Sequence, residues 1–416
     1  MSAPALAFLA HAGLIRLLDT LNGAGEETRV VGGAVRNALL GLAVTEVDLA
    51  TTALPEETVR RAHAAGFKPV PTGIAHGTVT IVVDGTPFEV TTLREDVETD
   101  GRHAVVRFGR DWQRDAARRD FTINALYATR AGEVIDLVGG LPDLEARHVR
   151  FIGDPEQRIR EDYLRILRLF RFHAAYGRGD VDAPALIASI RCRAGLAGLS
   201  RERVGAELMK LMTAERVAPV VRVMSDAGLL VPLLGGVPAL GTLERLVDLE
   251  REVGRPPDGV LRLAALAVRV REDADRLRDR LRLSNETHRR LLNAALSDVR
   301  LPLSPRALRR LLYEAGPADA IDRVLVAAAR TPNGLFRCAL VEVLDGVKGF
   351  VAPDCPVRAQ HFQDLGMVPG PQLGAALAHA KRAWIAADFP AGEATAQRLA
   401  RDAWLSVVTG GGAVSG

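Results

Sequence analysis

The chain is 416 residues long, and 54 basic against 51 acidic residues leave a formal net charge of +3. Hydrophobic residues make up 48% and charged residues 25%, which excludes a disordered or collagen-like chain and fits a globular one. The length exceeds what one hydrophobic core organises, so roughly two to four domains are expected. A charge this close to neutral means that any grip on a polyanion comes from local patches.

Nearly all the base is arginine, with lysine only at Lys68, Lys210, Lys348 and Lys381. Guanidinium forks suit phosphates and base edges, although a GC-rich genome explains the bias equally well. Cys192, Cys338 and Cys355 are scattered without CxxC spacing, which implies neither a zinc site nor a disulfide framework and fits a reducing compartment. No apolar run approaches the ~18 residues of a membrane helix, and the start lacks a signal-peptide pattern. A cytoplasmic protein with no membrane segment is expected. No feature fixes an oligomeric state.

In chain order, Leu6, Leu14, Leu17, Leu18 and Leu21 predict a helix over 5–22, ended near Gly23. Strands are expected at 28–32, 44–50, 78–83, 87–92 and 133–137, with Asp84-Gly85 as a hairpin turn. Pro55 opens a helix running to Ala65. Residues 94–110 are polar, mixed in charge and poor in pattern, and read as a mobile loop. From about 155 the pattern is helical only: 155–176, 184–193, 200–213, 215–228, 241–251, 259–271 and 287–297, then 305–315, 318–330, 335–346 and 372–386. No repeat is evident. The tail from Thr409 reads as disordered.

Three clusters could do chemistry. Arg29 to Thr51 reads as a β run, the pair Gly32-Gly33, a short helix, and a second β run carrying Glu46 and Asp48. Acids two apart on a strand share a face, and a glycine turn before a helix offers N–H groups to a phosphate. Glu89 lies on a later strand, opposite in facing to Phe88 and Val90. Three carboxylates on neighbouring strands can hold two Mg²⁺ ions for in-line phosphoryl displacement; a lone exposed acid is more simply a solvated one.

The second cluster is Arg118-Arg119-Asp120-Phe121-Thr122-Ile123-Asn124-Ala125. A guanidinium pair can neutralise a triphosphate, and Asp120 and Asn124 can hydrogen-bond ribose hydroxyls. A capped helix–strand junction explains the same residues. The third lies on the predicted helix 155–176, where Asp162, Arg165, Arg168 and Arg171 recur every three residues beside Leu164, Leu167 and Phe170. An Asp and an Arg one turn apart can meet the polar edge of a base. They can equally be an intrahelical ion pair.

Taken in this order, the clusters resemble the class II nucleotidyltransferases, the family of bacterial CCA-adding enzymes (tRNA nucleotidyltransferases) and poly(A) polymerases. GGAVRN with EVDLAT resembles the catalytic motif A, RRDFTINAL motif B, DLVGGLPDLEARHVRFIGDP the motif C region, EDYLRILRLFRF the EDxxR motif D and LSRERVGAEL motif E. The resemblance spans roughly 28–212.

It implies an α+β fold: a nucleotidyltransferase head of mixed β-sheet with flanking helices (1–152), then an all-helical neck that reads the base (153–212), body (213–350) and tail (351–416). Glu46 and Asp48 would bind Mg²⁺, with Glu89 a third catalytic carboxylate. Gly32, Gly33, Arg36 and Arg119 would lie at the triphosphate and Asp120 and Asn124 at the ribose. Asp162 and Arg165 would pair with the base edge of CTP or ATP, and Arg168 and Arg171 would help hold the nucleotide. The helical remainder would clamp the acceptor arm of tRNA.

The implied reaction is addition of CMP and AMP to the 3′ end of tRNA with release of pyrophosphate. A poly(A) polymerase, a CC- or A-only enzyme and a catalytically weak RNA-binding relative are the alternatives. The pattern departs at Glu46 and Asn37, where the family usually carries aspartate. The longer Glu46 could displace a metal, and Asn37 removes a charge expected to orient Arg36. No HD-type phosphohydrolase signature is present in the helical half.

Overall fold

In the computed structural model, residues 6–74, 77–100, 103–295, 299–331 and 337–410 are described below. The chain forms two compact units. The first comprises residues 1–240, 257–259 and 276–284; the second comprises 241–256, 260–275 and 285–416.

The first unit carries a seven-stranded mixed sheet. Its strands are β1 (Thr28–Val31), β2 (Asp48–Thr51), β3 (Lys68–Gly73), β4 (Thr78–Val83), β5 (Thr86–Thr92), β8 (Leu126–Ala128) and β9 (Val134–Asp136), in the order β3-β4-β5-β2-β1-β8-β9. Among the described strands only β2 and β5 pair in parallel, in a register that sets Asp48 opposite Glu89. β4 and β5 alternate, burying Val79, Ile81, Val83, Phe88 and Val90, so that Glu89 is left exposed on the other side of its strand.

Helices α1 (Ala12–Leu21), α2 (Gly33–Leu39) and α3 (Pro55–Ala64) flank the sheet. α1 buries Leu14, Leu17, Leu18 and Leu21 and is capped by the His11 side chain, which accepts from the Leu14 N–H. α4 (Trp112–Ala117) and α5 (Gly140–Glu145) complete the head. Helices only then follow: α6 (Pro155–Glu161), α7 (Leu164–Tyr176), α8 (Ala183–Arg191), α9 (Arg201–Met212) and α10 (Val217–Asp226). The regular elements among the described residues of the second unit are all helices, and one of its cores packs Phe362, Ala376, Ala380, Trp384 and Ala400. The fold is therefore α+β, a mixed-sheet head followed by helices. Among the described residues no helix is long and apolar enough to cross a membrane.

Five expectations need correction. Residues 94–108 are not an unstructured loop: β6 (Arg94–Asp100) and β7 (His103–Phe108) pair as a separate antiparallel ribbon, with a register shift between Asp96 and Glu98. Cross-strand pairing supplies order there without the apolar alternation that a buried face would impose. β3 was hidden by Pro69 and Pro71, which are compatible with a strand because it lies at the sheet edge. Strand β2 begins only at Asp48, and residues 42–47 have no regular structure. The predicted helix 155–176 is two helices, broken at Asp162, whose backbone is extended (φ −155°, ψ 106°). The last helix continues through Gly410, and the rest of the predicted tail lies outside the described residues.

Candidate active site

The glycine pair is not symmetric in its demands. Gly32 has φ 73° and ψ −119°, a conformation open to glycine, and a Cβ there would stand 3.3 Å from the Asn124 carbonyl oxygen. Gly33 opens α2 with ordinary backbone, and a Cβ would meet only the Arg36 guanidinium at 3.7 Å. The turn thus lets the chain pass close beneath Asn124 and place Arg36 inside.

Arg36 is buried. Its Nε and Nη2 donate to Asn37 Oδ1 at 3.1 and 2.9 Å. Nη2 also donates to the Tyr176 hydroxyl at 2.8 Å, and Nη1 to Asn124 Oδ1. Its guanidinium lies 3.9 Å from the Tyr176 ring centroid and 5.3 Å from that of Phe172. Asn124 donates to Asp120 Oδ1 at 3.1 Å, while Arg168 donates to Asp120 Oδ2 from Nε at 2.8 Å and Nη2 at 2.5 Å. Arg171 donates to Glu207 at 2.5 Å. Phe172 lies under both helix arginines as well, 5.2 Å from Arg168 and 4.2 Å from Arg171. Arg36, Asp120, Asn124, Arg168 and Arg171, distant in sequence, therefore share one polar layer over one aromatic ring. Burial pushes the Arg36 guanidinium below its ordinary range, Arg171 and Arg168 push it further, and Tyr176 and Asp120 oppose them. The layer is short of negative charge.

The opposite excess stands one strand over. Burial raises the Asp48 carboxyl above the usual carboxylate range, Glu89 and then Glu46 raise it further, and Arg119 opposes them. Glu46 lies in the irregular stretch before β2, so the pairing of Glu46 and Asp48 on one strand face does not hold; Asp48 and Glu89 are the strand-borne pair. All three keep side-chain surface open to solvent, and Asp48 is desolvated only in part. Among the described residues no three His, Cys, Asp or Glu side chains converge closely enough to enclose a metal. An open set of hard oxygens still fits Mg²⁺, which retains waters and takes substrate phosphate oxygens, and a cation would relieve the repulsion that raises Asp48.

Arg119 donates to Asp115 at 3.2 and 3.0 Å and to the Tyr127 hydroxyl at 3.3 Å. Arg118 donates to Asp115 too, at 2.8 and 2.6 Å, so one carboxylate holds both guanidiniums in place. Asp115 is 1% exposed and its carboxyl is lowered against its own burial by both arginines and Tyr127. Sequence reasoning missed it; its place three and four residues before two arginines on one helix was the available signal.

Asp162 and Arg165 bond to different partners. The helix break turns Asp162 to accept from Arg203 Nη2 at 2.6 Å and from the Leu164 N–H at 3.1 Å. Arg165 donates instead to Glu161 and to the Arg158 carbonyl oxygen, the latter at 2.8 Å. Asp162 and Arg203 line a cleft of about 510 Å³ with Tyr163 and Ser200. Arg203, Glu207 and Tyr176 are site neighbours that spacing alone did not single out.

A carboxylate pair fixed by strand register, beside an electropositive layer under a glycine turn, defines the class: a nucleotidyltransferase. Residues 28–150 match the family described as the Poly A polymerase head domain. The chain is 35% identical over 402 residues to the mouse CCA tRNA nucleotidyltransferase 1, mitochondrial, covering 92% of this chain and 88% of that one. It is 33% identical over 381 residues to the CCA-adding enzyme of Latilactobacillus sakei, covering 90% and 94%. The solved Bacillus stearothermophilus CCA-adding enzyme in complex with CTP superposes with a TM-score of 0.64 at 26% identity, covering 96% of this chain and 93% of that one. The chain belongs to the CCA-adding enzymes, the CCA tRNA nucleotidyltransferases.

Proposed function

We propose that this chain adds CMP and AMP, from CTP and ATP, to the 3′ end of tRNA and releases pyrophosphate. The observation that carries the reading is a pair of opposite poles: Asp48 and Glu89 set opposite each other by strand register, and Arg36, Arg168 and Arg171 gathered over the Phe172 ring. A nucleoside triphosphate with divalent metal supplies what each lacks. Glu46, Asp48 and Glu89 would hold Mg²⁺, Glu46 and Asp48 directly, which when bound makes the 3′-hydroxyl more acidic and stabilises charge on the leaving pyrophosphate.

The acceptor 3′-hydroxyl gives up its proton to solvent and its oxygen forms a bond to the α-phosphorus as the bond from that phosphorus to the α,β-bridging oxygen breaks, and the bridging oxygen leaves on pyrophosphate with the electron pair. Arg36 and Arg119, with the Gly32-Gly33 backbone, would face the phosphates. Asp120 and Asn124 would meet the ribose, while Arg168 and Arg171 hold the nucleotide. Asp162 and Arg165 would read the base, with Arg203 joining them through its bond to Asp162. Residues 1–152 would act as head, 153–212 as neck, 213–350 as body and 351–416 as tail, the last three gripping tRNA.

Arg193, Arg201 and Arg280 support that grip. They line a cleft of about 500 Å³, and each donates to a main-chain carbonyl rather than to a carboxylate. We place the enzyme in the cytoplasm on its scattered, unpatterned thiols; cell fractionation with an antibody tests that assignment.

Labelled CTP and ATP supplied with tRNA lacking its 3′ CCA test the activity. Two C additions followed by one A are expected. Long A tracts on mixed RNA would indicate poly(A) synthesis, addition of only CC or only A a partial activity, and binding without incorporation an inactive relative.

A further inference from the structure

The carboxylates border a second space that the nucleotide reading leaves unused. A cleft of about 800 Å³ opens where β2 and β5 begin. Its walls are the start of the chain (Phe8, His11), the irregular segment before β2 (Val44, Thr45) and the start of β5 (Thr86, Phe88), with Glu46, Asp48 and Glu89 at its border. Among the described residues no arginine or lysine lines it, so it does not suit a triphosphate. Its volume and mixed aromatic and polar walls suit one nucleoside.

Position supports the same ligand. Across the sheet the order is β4-β5-β2-β1-β8. The glycine turn follows β1, and the Asp120–Asn124 turn precedes β8. The carboxylates sit on the middle pair or just before it, and the cleft lies on their β5–β4 side. In-line displacement requires the attacking oxygen opposite the leaving pyrophosphate. With phosphates on the β1–β8 flank, the attacking hydroxyl comes from the β5–β4 flank.

We propose that this cleft receives the 3′-terminal nucleoside of the acceptor RNA, its base against Phe8 and His11 and its 3′-hydroxyl toward Asp48 and Glu89. The inference rests on the nucleotidyl-transfer reading above. His11 is built for the task. Its Nδ1 accepts the Leu14 N–H at 3.3 Å, so the neutral ring carries its proton on Nε2 as a donor for a ribose or phosphate oxygen. The ring is braced edge-on against Phe88 with centroids 5.9 Å apart. A Cβ on Gly13 would stand 3.1 Å from His11 Cε1, so glycine leaves this ring its place.

Two variants test the cleft: Phe8→Ala, and His11→Asn, which keeps a side-chain acceptor for the helix cap. Loss of a base-stacking ring should raise KM for tRNA by roughly 5–100-fold while KM for CTP stays within about twofold. In the unaltered chain, tRNA carrying a 3′-terminal 4-thiouridine should photo-crosslink to peptides spanning residues 7–11. Unchanged KM for tRNA in both variants, a rise in KM for CTP instead, or crosslinks confined to α7 would overturn the proposal. The crosslink needs no folded variant and no turnover. Absence of incorporation by the unaltered chain, by contrast, removes the activity reading and not the cleft.

Discussion

Asn37 shows how much one atom can decide. An amide in place of a carboxylate was expected to leave Arg36 poorly oriented, yet its Oδ1 accepts from Arg36 twice. Its Nδ2 donates at 3.1 Å to the Ala43 carbonyl oxygen, a bond that a carboxylate cannot make. Asn37 thereby ties the buried guanidinium to the segment that carries Glu46. Hydrogen bonds to a charged group contribute about 1.5–3 kcal/mol, so Asn37→Ala should lower kcat/KM for CTP by roughly 10–100-fold, measured in steady state on one tRNA. Asn37→Asp should recover much of the loss, because it restores the acceptors. The two departures from the family pattern were legible in the sequence; their local consequence was not, because it depends on where the Ala43 carbonyl points. The buried carboxylate Asp115 was likewise hidden: the two arginines that follow it signal an ion pair, but not that its side chain is only 1% exposed.

At the level of elements, the break between α6 and α7 matters most. A three-residue recurrence of charges continues through Asp162, so periodicity alone joined the two helices. The competing signal was Asp162 itself, whose side chain accepts from the Leu164 N–H as a helix-start residue does. The break gives Asp162 to Arg203 and Arg165 to Glu161. Arg203→Ala and Arg165→Ala are therefore both expected to narrow the preference for CTP over UTP, read from competitive incorporation, with Arg203→Ala acting through Asp162.

The far end of α7 carries a pH dependence. His173 is 2% exposed, and burial first, then Arg216 and His148, lower its pKa below the ordinary 6.5 against the Gly179 backbone and Asp180. The folded state thus binds this proton less readily than the unfolded chain does. Stability should be intact above about pH 6.5 and fall as pH drops from there toward the depressed folded pKa, by at most about 1.4 kcal/mol per pH unit for one proton. Urea melts of His173→Leu should show a shallower acid slope than the parent. The glycine turn, β4, β5 and most helices were readable from alternation, turn residues and spacing. β3 and the β6–β7 ribbon were not, because edge position and cross-strand pairing leave little trace in hydropathy. The charged helix Arg271–Leu281 was missed as well, since only Ala274, Leu277 and Leu281 mark its buried side.

On the scale of the whole molecule, a near-neutral chain must concentrate its positive charge to hold RNA. Arg193 and Arg201 are exposed at the cleft they share with Arg280. Replacing both with Ala should weaken tRNA binding at low salt and flatten its salt dependence by roughly one to two counterions, since each phosphate contact contributes about 0.7–0.9 to the slope. KM for CTP should not change. The sequence shows the helical half as helical and little more, because phosphate contacts need only a basic side chain at the right place in space.

The central claim is that a metal–nucleotide complex bridges the poles at Asp48 and Arg36, and Asp48→Asn tests it most directly. Removing a carboxylate raised by burial, Glu89 and Glu46 relieves repulsion, so the metal-free variant should melt at or above the temperature of the parent. Single-turnover CMP incorporation onto tRNA should nevertheless fall by at least about 10²-fold, at the scale of losing a group that stabilises transition-state charge. A variant that folds as predicted yet incorporates CMP at the parental rate would contradict the account.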